Sequence, residues 1–271
     1  MAFKLAFSTL GCPGWTIEQA GEAARRYGYQ GVELRLLDGE IIPADLDAAG
    51  RERVKRALSG LGIPSVGTSC RFSSPDADER ARSRAEAERY LGLAAELGAE
   101  TIRVFGGNIA GGDTLEAACG RIAESLNELA LAAERAGVLI ALETHDAMSA
   151  GRTVADVLAQ VPSRCVGALW DSHHPYRMGE TPGETYRLLE GRILATHVKD
   201  ARRDGERWQL LPMGEGEVPV REMLGALHEH GWSGWVSVEW EKKWHPELAE
   251  PEVALPQHLE VLRRYVEEIG E

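Results

Sequence analysis

Along the chain, a charged stretch with helical spacing repeatedly ends at a glycine, and a short apolar or β-branched run follows within a few residues. The glycines are Gly28, Gly62, Gly98, Gly137, Gly191 and Gly231, and the runs behind them are GVELRL, IPSVGTS, ETIRVF, VLIALE, ILATHV and WVSVEW. A residue without Cβ closes a helix in the left-handed conformation at least cost, so each of these glycines is expected as a helix C-cap. Two further runs lack the glycine, AFSTL near the start and CVGALW behind the Pro162-Ser163 turn, which makes eight. Helix starts are expected at Thr16, Asp113, Thr153 and Thr181, each of which places a capping oxygen three residues before Gln19, Glu116, Asp156 or Glu184. Pro182 falls at a first helical position.

Eight strands alternating with helices predict a parallel sheet with crossover helices. The length of 271 residues suits a (β/α)8 TIM barrel, which takes about 250. A doubly wound open sheet would carry a glycine-rich phosphate loop after an early strand, and the first turn here, STLGCPGW, is no G-x-G-x-x-G. With no Pro/Ser-rich linker or low-complexity tract, the expectation is one domain over residues 1–271.

Composition adds exclusions. At 44% hydrophobic and 27% charged residues the chain is ordinary for a globular protein, which argues against disorder. The net charge of −13 repels phosphodiester backbones and anionic lipid, so neither nucleic acid nor a membrane is expected as a partner. No apolar run approaches a membrane span, and Pro13-Gly14 interrupts the opening segment before a signal-peptide cleavage pattern, so a cytoplasmic location is expected. Cys12, Cys70, Cys119 and Cys165 are widely spaced without a C-x-x-C pair and read as reduced thiols.

In a barrel the chemistry sits where strands finish. Strand two ends with Glu33 and Arg35 on one face, strand three with Thr68, Cys70 and Arg71, and strand four with Arg103 and Phe105. Strand five ends with Glu143 and His145, strand six with Asp171 ahead of His173 and His174, strand seven with His197 and Lys199, and strand eight with Glu239. Glu143, Asp171, His197 and Glu239 thus close four successive runs with one ligand-type residue each. Carboxylates converging in a barrel mouth repel unless protonated, paired with a base or bridged by a cation. A divalent cation is the economical answer. Oxygen and imidazole donors without thiolate suit Mn2+, Co2+, Mg2+ or Zn2+, with Mn2+ first on ligand hardness.

These strand ends, in this order, resemble the sugar isomerase/epimerase superfamily of xylose isomerase-like barrels. The resemblance covers the whole chain and is carried by LETHD at 142–146, WDSHHPYRMGETP at 170–182, HVKDARRDG at 197–205, GEG at 214–216 and VSVEWEKKWHPELAEPE at 236–252. It implies that Glu143, Asp171, His197 and Glu239 hold one divalent metal and that Glu143 and Glu239 are also the catalytic pair. Their task would be to move a proton next to a carbonyl through a metal-bound enediolate. It also implies that His174 and Arg203 contact substrate oxygens, and His145 and Lys199, at the same strand ends, are expected to line the substrate site with them. The partner implied is a small-molecule sugar, sugar phosphate or inosose, in a protein that can be a homo-oligomer.

Epimerisation, aldose-ketose isomerisation and inosose-type dehydration share this first step, so they stay open together. The abasic-site endonucleases of the superfamily hold three metals with extra histidines on strands three and four and after strand seven, where this chain has Thr68-Ser69-Cys70, Arg103 and ARRDGERW. A non-catalytic sugar-binding barrel would leave the four-ligand set without a purpose. Lys242, Lys243, His245, Arg202 and Arg203 follow strands seven and eight, where barrels often bind phosphate. Equally, Lys242 and Lys243 can pair with Glu241 and Glu247 on the surface. Substrate stereochemistry depends on pocket shape around Trp15, Arg35 and Arg71.

Overall fold

The computed structural model describes residues 3–270. Eight parallel strands, β1 (Lys4–Ser8), β2 (Gly31–Glu33), β3 (Ser65–Arg71), β4 (Thr101–Phe105), β5 (Leu139–Glu143), β6 (Val166–Asp171), β7 (Ile193–Val198) and β8 (Trp235–Val238), pair in the order β2-β1-β8-β7-β6-β5-β4-β3. The remaining seam, between β2 and β3, is bridged at Gly31 with Gly62 and at Leu34 with Val66. Backbone bonds from Val32 N to Gly62 O and from Gly67 N to Leu34 O complete it. The sheet therefore closes into the expected (β/α)8 barrel. Each strand coincides with one of the eight apolar runs.

Helices α1 (Ile17–Tyr27), α2 (Ala48–Ala57), α3 (Ala77–Leu97), α4 (Leu115–Ala136), α5 (Gly151–Leu158), α6 (Pro182–Leu189), α7 (Val220–Glu229) and α8 (Pro251–Gly270) form the outer layer. None of the described helices is long and apolar enough to cross a membrane. Gly28, Gly98, Gly137, Gly191 and Gly231 take the left-handed conformation expected of them. Gly62 does not, and Gly60 takes that conformation instead. Gly62 is required for a steric reason: a Cβ there would collide with the Trp235 indole, which also lies 2.7 Å from where a Cβ on Gly31 would be. Trp235 shares the inward face of β8 with Ser237 and plugs the lower end of the barrel against the β2–β3 seam.

The capping boxes at Thr16 and Thr181 form as expected. The other two starts differ. Thr114, not Asp113, caps α4, because the Asp113 carboxylate turns to Arg121. Helix α5 begins at Gly151, ahead of Thr153, and Glu180 from the next connection accepts from Gly151 N at 2.9 Å and Arg152 N at 3.1 Å. A carboxylate from elsewhere in the chain has replaced the local cap.

The two-residue strand period divides the side chains. Leu5, Phe7, Val32, Leu34, Ile102, Val104, Ile140, Leu142, Val236 and Val238 point outward into the large core shared with the helices. Inside the barrel Ala141, Leu169 and Ala195 form a separate small cluster. It lies two residues below Glu143, Asp171 and His197, so the polar strand ends rest on an apolar floor.

Two hairpins, unforeseen in the sequence, extend the strand ends: Leu36–Leu37 with Glu40–Ile41, and Asp200–Asp204 with Arg207–Leu211. The chain returning from the second hairpin is gathered by the buried Asp200 carboxylate. It accepts from Ala201 N at 2.8 Å, Gly214 N at 2.8 Å, Gly216 N at 2.9 Å and Val218 N at 3.1 Å. The GEG segment is thus a carboxylate-bound loop.

Gly62→Ala is expected to lower stability by about 1–3 kcal/mol through overpacking against Trp235, read as a lower urea midpoint. An unchanged midpoint would mean that the indole does not fill this seam.

Candidate metal centre

Glu143 and Asp171 are the last residues of β5 and β6, His197 is the penultimate residue of β7, and Glu239 follows β8 directly. Strand register sets Asp171 beside His197 and His197 beside Ser237, while Glu239 N donates to Val198 O, so the four share one layer. One ligand atom from each lies within 4.8 Å of all the others, and all four residues are buried. The structure therefore brings together the whole expected ligand set.

The His197 ring stands between the two glutamates, with Nδ1 3.1 Å from Glu143 Oε1 and 3.3 Å from Glu239 Oε1. Asp171 Oδ1 accepts from His173 N at 2.8 Å and His174 N at 3.1 Å. Two buried oxygens of the cluster, Glu143 Oε2 and Asp171 Oδ2, accept no hydrogen bond. They face cations instead: Arg103 Nε at 3.3 Å and Lys199 Nζ at 3.2 Å. Lys199 also donates to Glu239 Oε2 at 2.5 Å and Glu241 Oε1 at 2.6 Å. Arg103 finds room because Gly67 lacks a side chain: a Cβ there would lie 3.0 Å from Arg103 Nη2 and 3.1 Å from Arg35 Cδ.

Burial would raise the Glu239 carboxyl, but Lys199 and His197 outweigh it and hold it well below the usual range. Burial likewise opposes Glu143, which Arg103 brings down. Asp171 moves the other way, to about 6, because burial and the two neighbouring glutamates outweigh Lys199. Burial would lower His197, and the surrounding carboxylates of Glu33, Glu239 and Glu143 push it well above 6.5 instead. Three carboxylates and one imidazole, with a ligand atom of each within 4.8 Å of the others, fit a divalent ion of the oxygen- and nitrogen-preferring kind.

A wall of rings rises from this layer. Phe105 lies 4.7 Å from His145, His145 4.6 Å from His174, and His173 4.8 Å from Trp208 on the second hairpin, measured between centroids. Burial, then Lys199, keeps His174 well below 6.5, hence neutral, and neither of its buried ring nitrogens has a partner. His145 is half-buried beside Asp146, with Nδ1 3.0 Å from Asp146 Oδ1.

The structure does not bring Arg203 to this layer. Its guanidinium is exposed on the second hairpin, where Nε donates to Gly205 O at 3.0 Å. The other cations considered for phosphate are also committed. Lys242 is buried against Pro246 O, Leu248 O and Glu250, Lys243 bonds Gly39 O, and Arg202 bonds Glu215 O. The pairing with Glu241 and Glu247 that the sequence offered to the lysines is made by His245. Trp15 is half-buried, its Nε1 donating to Glu252 at 3.0 Å. Three residues given no place at the site from the sequence stand next to the ligands or Lys199: Glu33, Arg103 and Glu241. For the first two the signal was present, since both lie on the inward face of a strand end.

The family model for xylose isomerase-like TIM barrels matches residues 22–265. The chain belongs to that family. Fructoselysine 3-epimerase of Escherichia coli O157:H7 is 25% identical over 248 residues, covering 87% of this chain and 90% of its own. Inosose dehydratase of Bacillus licheniformis is 29% identical over 168 residues, 54% of this chain and 53% of its own. Among solved structures, the IolI protein with a bound zinc atom superposes with a TM-score of 0.85 at 21% identity, covering 98% of this chain and 99% of that one. The relatives are thus epimerases and dehydratases, and this chain carries a candidate metal site.

Lys199→Met would leave Asp171, Glu239 and Glu241 without their shared cation. The loss expected is about 3–5 kcal/mol in chelator-treated protein, partly restored by added Mn2+. Thermal melts with and without the ion check this. A variant melting like the wild type under chelation would show that Lys199 does not neutralise the layer.

Proposed function

We propose that this protein is a divalent-metal-dependent sugar or polyol isomerase/epimerase that transfers a proton next to a carbonyl. The observation that carries the reading is the convergence of Glu143, Asp171, His197 and Glu239 in one buried layer, beneath a neutral imidazole with both nitrogens free. Mn2+ is our first choice of ion. When bound, it would supply Lewis acidity that polarises the carbonyl and acidifies the neighbouring C–H.

The chain's own residues then divide the work. Glu143 and Glu239 come from β5 and β8 and flank His197, so they face a bound substrate from two sides. One takes the proton and the other returns one, which inverts the carbon when the faces differ. Both are held as carboxylates, by Arg103 and by Lys199 respectively, and Asp171 and His197 act as ligands only. His174 can donate to one substrate hydroxyl and accept from another, with His145 beside it. The wall from Phe105 to Trp208 takes an apolar ring face and keeps water from the reacting carbon. Because the cations after β7 and β8 bond protein groups, we assign an unphosphorylated substrate to this mouth. Arg203 would reach such a substrate only if the second hairpin folded over it.

Dehydration of an inosose is the second reading. Loss of a β-hydroxyl can follow the same proton abstraction, and an inosose dehydratase is among the similar proteins.

Solvent deuterium exchange followed by NMR tests both readings, using Mn2+-loaded protein and a panel of free ketoses, their phosphates and inososes. Metal-dependent exchange next to a carbonyl is expected, with water loss marking the dehydratase. Glu143→Gln and Glu239→Gln should each lower exchange by about 10²–10⁴-fold with the fold retained, since an amide can coordinate but cannot carry the proton. Wild-type exchange in either variant would remove that residue from proton transfer.

A further inference from the structure

We infer that Glu33 is the positioning residue of this centre: it fixes the tautomer of His197 so that Nδ1 presents its lone pair to the ligand layer. The inference rests on the proposal that the layer holds a divalent ion. A neutral imidazole has one N–H and one lone pair, and which nitrogen carries which is decided by its hydrogen-bond partners. In His197, Nδ1 faces the layer at 3.1 Å from Glu143 and 3.3 Å from Glu239, while Nε2 lies 2.8 Å from Glu33 Oε2 on the opposite edge of the ring. A carboxylate can only accept there. Nε2 therefore keeps its proton when an ion binds, and Nδ1, which faces carboxylates in the metal-free layer, is the nitrogen left to coordinate.

Three features separate this role from packing. Glu33 and His197 side chains are 2% and 0% exposed, so no solvent competes for the contact. Among the described residues the Glu33 side chain has His197 as its only hydrogen-bond or ion-pair partner, and Glu33 Oε1 is buried without any partner. Arg35 and Arg103, also on inward faces, direct donors to Gly67 O, Ser69 Oγ and Thr68 O instead. Finally, β2 lies three strands from β7 in the barrel order, so Glu33 reaches across the interior to the ligand's far side, from a backbone fixed by its register with Ser8 of β1. Carboxylates in this relation to a ligand imidazole orient the ring and strengthen it as a donor.

The test compares wild type, Glu33→Gln and Glu33→Leu. Zn2+ affinity is measured by isothermal titration, and the histidine nitrogens are read by NMR of zinc-loaded, 15N-histidine-labelled protein. The expected wild-type result is one equivalent of Zn2+, with His197 protonated on Nε2 and shifted at Nδ1 by the ion. Glu33→Gln, which keeps an acceptor but loses the charge, should bind about tenfold more weakly, and Glu33→Leu weaker still, within the 10–100-fold range typical of such partners. Glu33→Gln should show the weaker affinity and an altered His197 pattern even where its chelator-treated melt matches the wild type, which a merely structural role would not give. If Glu33→Leu does not fold, the isosteric Gln variant carries the test. Variants that match the wild type in affinity and in the His197 pattern would overturn the role of Glu33 alone. A wild type that binds no Zn2+ would overturn the metal reading itself.

Discussion

Everything at the mouth of this barrel follows from the burial of three carboxylates within one layer. Glu143, Asp171 and Glu239 are 1%, 0% and 6% exposed, and in a medium of low polarity their mutual repulsion is barely screened. The molecule answers with fixed cations placed on the outside of the layer, Arg103 against Glu143 and Lys199 against Asp171 and Glu239. They hold each carboxylate by one oxygen, and the second oxygens of Glu143 and Glu239 face His197 Nδ1 while that of Asp171 accepts from the His173 and His174 amides.

The fold contributes by keeping the rest of the interior small. Ala141, Leu169 and Ala195 beneath the ligands carry no polar atom beyond the backbone, and Gly67 opens the space in which two arginine stems lie side by side. Lower down, the Trp235 indole fills the end of the barrel, and Gly31 and Gly62 are glycines because that ring lies on them. The barrel interior thus runs from a wide aromatic plug through a thin apolar floor to a charged layer, each one step of the strand period above the last.

The strands were legible because their signal is local: an apolar run behind a charged, glycine-terminated stretch needs no knowledge of partners. The four ligand residues were legible for the same reason, since a strand end is a position along the chain. What was not legible depended on partners far away in sequence. Glu180 caps α5 from 29 residues beyond Gly151, and no reading of Thr153 could reveal it. Gly62 looked like a helix cap, and only the position of Trp235 shows otherwise. Arg203 keeps its spacing from His197, but the unforeseen hairpin carries it outward. Lys199 was visible as a strand-end cation, and its three carboxylate partners were not.

The Asp200 carboxylate has a consequence for how such a barrel diversifies. Four backbone N–H groups hang from it, so the hairpin between Asp200 and Leu211 is an excursion whose two feet are clamped at one point. Its length and tip can change without a strain that reaches His197 or Lys199, because the clamp absorbs the difference before β7. Trp208, the part of the ring wall that this excursion supplies, therefore stands on a segment apart from the strand ends that carry the four candidate ligands, whereas His145 and His174 follow two of those ligands directly.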